Sequence, residues 1–231
     1  MPMKFAVAAV AAVTTLGAVL AAQAPQAGAI DLGGKLYRAV FTSGVGVLSA
    51  GDLASVPEPQ RARLSTYLSR RSSFKSSYRS ESDSFEKLRA DAKKRVIERA
   101  IVSLVDARGI DRTAAEFVAE APIAYEWEKT AARPLEEAAH AEAVLKKNPA
   151  SALAPYLYIF IAHRQRAAFE LADAQKDVEA MKAASRKYRA FMQRARGAED
   201  PIYALLADDL DRQPFVYVAT DKHPRDFNPD A

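Results

Sequence analysis

Residues 136–149 read EEAAHAEAVLKKNP, and residues 150–170 continue ASALAPYLYIFIAHRQRAAFE. The first part places Leu135, Ala138, Ala141 and Leu145 on one stripe, at steps of three, three and four. That is the period of an α-helix with one buried face. Pro134 stands where a helix tolerates proline, and Asn148-Pro149 ends the run. Ser151 then offers a side-chain cap, Pro155 fits the first turn, and Leu153, Leu157, Phe160, Ile161, Ala168 and Leu171 point inward. Two helices joined by so short a turn run antiparallel.

The same period recurs on both sides of this stretch. From Asp177 a helix places Val178, Met181, Ser185, Tyr188, Met192 and Ala195 at alternating three- and four-residue steps, and Gly197 closes it. Pro201 starts a helix with Ile202, Leu205, Leu206 and Leu210. Upstream, Glu58 to Arg71 has Leu64, Tyr67 and Leu68 on one face. Seven serines between Ser72 and Ser84 mark a loop. Asp83 with Glu86 then opens a helix burying Phe85, Leu88, Ala92, Val96, Ala100, Ile101 and Leu104. Thr113 with Glu116 reads as a second capping box, before Phe117, Val118 and Ala121, and Pro122 breaks that helix ahead of Tyr125 and Trp127. The remaining chain does not supply a sheet, so the expected class is all-α, built from antiparallel helix pairs.

The 136–149 stretch resembles the second helix of a tetratricopeptide repeat, with alanines where helices cross and an Asn-Pro end. Residues 150–170 are similar to the first helix of a next repeat, and Glu199-Asp200-Pro201 ends another helix in the same manner. The resemblance covers about residues 130–210. Pro149 and Pro201 lie 52 positions apart, against about 34 in the family, and its Trp and Leu-Gly signature is missing. The resemblance implies a short stack of helix pairs with a concave face. The alternative is an irregular helical bundle.

The N-terminal residues bear on location. Lys4 precedes an uncharged run from Phe5 to Ala22, and Ala27-Gly28-Ala29 supplies small residues at the −3 and −1 positions of a signal-peptidase site. Cleavage after Ala29 is expected; cleavage after Ala24 would leave Pro25 first. The expected layout is a signal peptide at 1–29, a glycine-containing arm at 30–56, a helical domain at 57–212 and an extended tail at 213–231. An exported product, periplasmic or secreted, without a transmembrane helix in its mature form follows from that reading. The chain has no cysteine, which removes disulfides, thiol catalysis and Cys-ligated metals. The core must hold the fold, and a chain of this size buries about 70% of its unfolded surface.

The net charge is +4, and +3 once Lys4 is removed, too mild to indicate nucleic acid. The excess is local: residues 57–99 hold twelve Lys/Arg against six Asp/Glu. That region is a solvated helix face or a contact for an anionic envelope surface.

Candidate chemistry is sparse. Glu137-x-x-His140 puts a carboxylate and an imidazole on one helix face, as in di-iron bundles, and His163 is the available third ligand. Antiparallel packing puts His163 level with Leu135 and Glu136, over a turn from His140, which fits one metal poorly. Glu136 with Glu137, Asp208 with Asp209, and Glu126 with Glu128 are carboxylate pairs, expected to be solvated. Tyr125, Trp127 and Tyr158 are aromatic candidates for a binding groove, and core packing is the competing role. Three functions stay open: an exported interaction module for a protein or peptide partner, needing no cofactor; a small metal-dependent or acid–base enzyme; and a structural protein without a discrete ligand.

Overall fold

The computed structural model describes residues 32–37, 48–72, 94, 97, 101, 105, 112–123, 127, 130–213 and 216–217. The described residues form helices and no strand. They are α1 (Ala50–Ala54), α2 (Gln60–Ser72), α3 (Arg112–Glu120), α4 (Ala132–Lys147), α5 (Ala154–Ala174), α6 (Val178–Arg196) and α7 (Pro201–Asp211). Residues 35–37 add a helical turn. The side chains of Tyr67 and Leu68, the serine-rich stretch from Ser73, and Phe85, Leu88, Ala92, Val96, Ala100 and Leu104 lie outside the described residues.

The core is organised around α5. It packs along α6 and α4, and α7 lies against α6 and α5. Tyr156, Leu157, Ile159, Phe160, Ile161 and Leu171 are fully buried, so α5 is enclosed on several sides rather than along one stripe. Ile97, Ile101, Val105 and Phe117 join the same cluster.

Local chemistry sets the helix ends. Asp177 accepts the Ala180 N–H at 3.0 Å and caps α6. Asp200 accepts the Ile202 N–H at 3.1 Å, with Pro201 opening α7. Ser151 does not cap α5. Its hydroxyl accepts from Leu153 N–H at 3.1 Å and shapes the turn before the helix, which starts from Leu153 without a side-chain cap. Thr113 sits inside α3 and its hydroxyl accepts from Asn148 Nδ2 at 2.9 Å, tying α3 to the end of α4. α3 stops before Pro122, which cannot continue it.

The link from α5 to α6 closes without glycine. Lys176 takes φ 59°, its N–H donates to Asp173 O at 3.0 Å, and Asp177 N–H donates to Ala172 O at 2.9 Å. This is the paired-bond closure usually built on glycine.

Two apolar residues expected inside are outside. Leu135 is 36% exposed, because Pro134 and Glu137 take the inward positions of α4. Val178 is 55% exposed, because the buried stripe of α6 begins at Ala184 and runs through Tyr188, Phe191, Met192 and Ala195.

Candidate functional site

Glu137 points into the molecule and is 1% exposed. Its Oε1 accepts from the Trp127 indole N–H at 2.9 Å, and its Oε2 accepts from Arg164 Nε at 2.9 Å. The Arg164 guanidinium lies 3.8 Å from the centre of the Phe160 ring. Arg164 Nη1 is 2.9 Å from His163 Nδ1. A guanidinium only donates, so Nδ1 accepts and the His163 proton sits on Nε2. This cluster is a buried, paired charge with aromatic walls.

His140 turns elsewhere. Its ring stacks on Phe117 at 5.5 Å between centres, and Nε2 is 3.4 Å from Phe117 O. The Glu-x-x-His pair therefore does not converge: Glu137 faces Trp127 and Arg164, His140 faces α3, and His163 contacts Arg164, Tyr37 and Trp127. Among the described residues no group of three or more His, Asp or Glu side chains is arranged to hold a metal ion.

Trp127 is 3% exposed and packs edge-on against Tyr217 at 5.3 Å. The indole expected as a groove anchor is placed in the core, held there by Glu137. Tyr125 lies outside the described residues, as do Glu126 and Glu128. Tyr158 is half-buried and lines a shallow recess of about 470 Å³ with Arg194, whose guanidinium lies 5.9 Å from its ring centre. Most of the basic 57–99 region also lies outside the described residues. Within it Arg61 pairs with Glu58, and Arg63 with Asp200.

Two further carboxylates fasten chain segments to the helices. Asp209 is 2% exposed rather than solvated, and it accepts the Gly34 and Tyr37 N–H groups at 2.7 Å each. Burial raises its pKa, and the N–H bonds oppose the shift. Gly34 is required here: it takes φ +77°, and a Cβ would land 1.3 Å from Gln213 Nε2. Glu170 accepts from Val216 N–H at 2.9 Å and Tyr217 N–H at 2.6 Å, and pairs with Arg166 at 3.1 Å. Burial pushes its carboxyl up to about 7, against the two N–H bonds and the Arg166 charge.

An open groove of about 540 Å³ runs between α5, α6 and α7. Phe169, Tyr188 and Met192 form its apolar floor; Arg166, Arg189, Arg196, Ser185, Gln193 and Asp211 form its walls. The Tyr188 hydroxyl donates to Asp211 Oδ1 at 2.8 Å, and Arg166 lies 5.7 Å from its ring centre. Arg196 bridges Asp208 at 2.8 Å and Asp211 at 2.9 Å. Burial alone would raise the Asp211 pKa, yet the Arg196 and Tyr188 bonds win and lower it. These contacts tie Tyr188 to α7, and Arg189 stands beside the floor with no carboxylate partner among the described residues. Sequence periodicity identified Tyr188 and Met192 as seam residues, but a groove needs all three helices in place.

Compared with protein-family models, curated proteins and solved structures, the chain matches none of them.

Proposed function

We propose that the protein is an exported, non-enzymatic helical module that binds a protein or peptide partner in the groove between α5, α6 and α7. The single observation that carries this reading is the groove itself: an apolar floor, walled by arginines and open to solvent. Export rests on Lys4, the uncharged run from Phe5 and the Ala27-Gly28-Ala29 site. The absence of cysteine is compatible with an oxidising compartment, and among the described residues no helix is long and apolar enough to cross a membrane. Sequential packing of α4, α5 and α6 supports the stacked-pair arrangement that the repeat resemblance implies.

Photo-crosslinking tests the reading. A crosslinking residue at Ser185 or Gln193, inside the groove, should yield a discrete adduct with an envelope extract. The same residue at exposed Ala139 on α4 should not. Equal labelling at both places would refute a groove-centred function.

A further inference from the structure

α6 carries six cations, Lys182, Arg186, Lys187, Arg189, Arg194 and Arg196, against Glu179 alone. Lys182, Arg186, Arg189, Gln193 and Arg196 recur at steps of four and three, so they form one exposed ridge along the helix. Its lower part, Arg189, Gln193 and Arg196, lines the groove, and Arg186 and Lys182 continue the ridge beyond it.

Ordinary structural roles account for part of this charge. Arg194 and Arg196 sit in the last turn, where the helix dipole favours cations. Arg196 also bridges two carboxylates, Lys187 pairs with Glu142, and Lys182 pairs with Glu179. Arg186 and Arg189 are different. They lie in the middle of the helix, they are exposed, and they have no carboxylate partner among the described residues. Two like charges one turn apart destabilise an isolated helix slightly. Among the described residues the fold gains nothing evident from them; Arg189 lines the groove beside its apolar floor, and Arg186 stands one turn further along the same ridge.

We propose that this groove and its ridge seat an acidic peptide segment, with an apolar side chain against Tyr188 and Met192 and carboxylates against Arg186 and Arg189. The inference rests on the binding-module reading and names the partner's chemistry. Guanidinium groups bind carboxylates in a two-pronged geometry that a lysine ridge would not offer. The apolar floor adds a requirement that charge alone does not meet, so a purely polyanionic ligand fits less well.

The test is a fluorescence anisotropy titration of the full chain with short labelled peptides. One peptide alternates glutamate and leucine, and a second alternates lysine and leucine. The glutamate peptide should bind and the lysine peptide should not. Joint reversal of Arg186→Glu and Arg189→Glu should weaken the glutamate peptide by about tenfold or more. Ser185→Phe, which fills the groove without changing charge, should weaken it as well. Circular dichroism and urea midpoints confirm that both variants are folded. Equal binding of the two peptides, or unchanged affinity in the charge-reversed variant, would overturn the proposal. So would uptake by anionic phospholipid vesicles without peptide binding, which would assign the ridge to a membrane surface. If the glutamate peptide fails while groove crosslinks still form, the acidic chemistry falls and the binding module stands. If both fail, both fall.

Discussion

Arg164 on α5 and Arg189 on α6 are the same residue type on adjacent helices, yet their surroundings are opposite. Arg164 is 6% exposed, bonded to Glu137, stacked on Phe160 and placed against His163. Arg189 is exposed at the groove edge without a carboxylate partner among the described residues. A buried charge has to be paired to be tolerated, so Arg164 belongs to the fold. An exposed charge beside an apolar floor costs the fold little and is available to a ligand. The difference separates the part of the molecule that must be satisfied internally from the part left to an outside partner.

The buried pair depends most on Glu137. Glu137→Ala leaves Arg164 buried without its counter-charge, and stability should fall by about 3–5 kcal/mol. Urea denaturation of the variant measures it. Combining Glu137→Leu with Arg164→Met removes both charges at similar volume and should recover most of the loss. A loss below about 1 kcal/mol in the single variant would show that water reaches the pair.

Asp209→Ala should cost somewhat less, about 2–3 kcal/mol, because the Gly34 and Tyr37 N–H groups lose a buried acceptor. Hydrogen exchange at those two amides should accelerate together. Unchanged protection would mean that other contacts hold residues 32–37.

Glu170 makes the buried side of the molecule sensitive to pH. Its ordinary pKa is 4.5, and burial moves it to about 7 in the folded chain. The folded state then holds the proton more tightly than the unfolded state. This contribution to stability is fully present below about 4.5 and is lost as pH rises through 7. The loss between those limits is about 2 kcal/mol after allowance for partial solvent screening. Glu170→Gln cannot titrate, so its unfolding free energy should lack that component of the pH dependence. Parallel pH curves for the two proteins would contradict the assignment.

The smallest expected effect sits at the junction of the two helices. Lys176 holds a left-handed backbone at φ 59°. Lys176→Gly should raise stability by about 0.5–1 kcal/mol by relieving that conformation. A decrease on thermal unfolding would show that the lysine side chain contributes more than its backbone costs.

Much of the fold was legible because helical periodicity reports burial directly. Leu153, Leu157, Phe160, Ile161, Ala168 and Leu171 all stand inside, as their spacing indicates. Ile202, Leu206 and Leu210 do the same in α7. The failures have one physical origin: a single helix does not reveal where its neighbours end. Val178 continues the apolar spacing of α6, but no described residue covers that end of the helix. Leu135 lost its inward place to Pro134 and Glu137. Periodicity treats a charge as an outward residue, so Glu137 reads as a solvated carboxylate, or in the alternative reading as a metal ligand, and not as one half of a buried pair. Its partner Arg164 is 27 positions away on another helix, beyond any local spacing rule. Trp127 read as an anchor because aromatics beside a proline break suit grooves, whereas Glu137 draws its indole N–H inside. Asp209 read as a solvated carboxylate and Glu170 gave no sequence signal, since their partners are backbone N–H groups far along the chain. The groove was invisible for the same reason, as three helices contribute to it.

The most direct test compares Arg164→Ala and Arg189→Ala in one experiment, urea midpoint alongside affinity for the glutamate–leucine peptide. Arg164→Ala should lose several kcal/mol of stability, whereas Arg189→Ala should keep its stability within about 0.5 kcal/mol and lose peptide affinity. An Arg189→Ala protein that unfolds as easily as Arg164→Ala, or binds the peptide as tightly as the parent, would contradict the division between an internally paired Arg164 and an outward-facing Arg189.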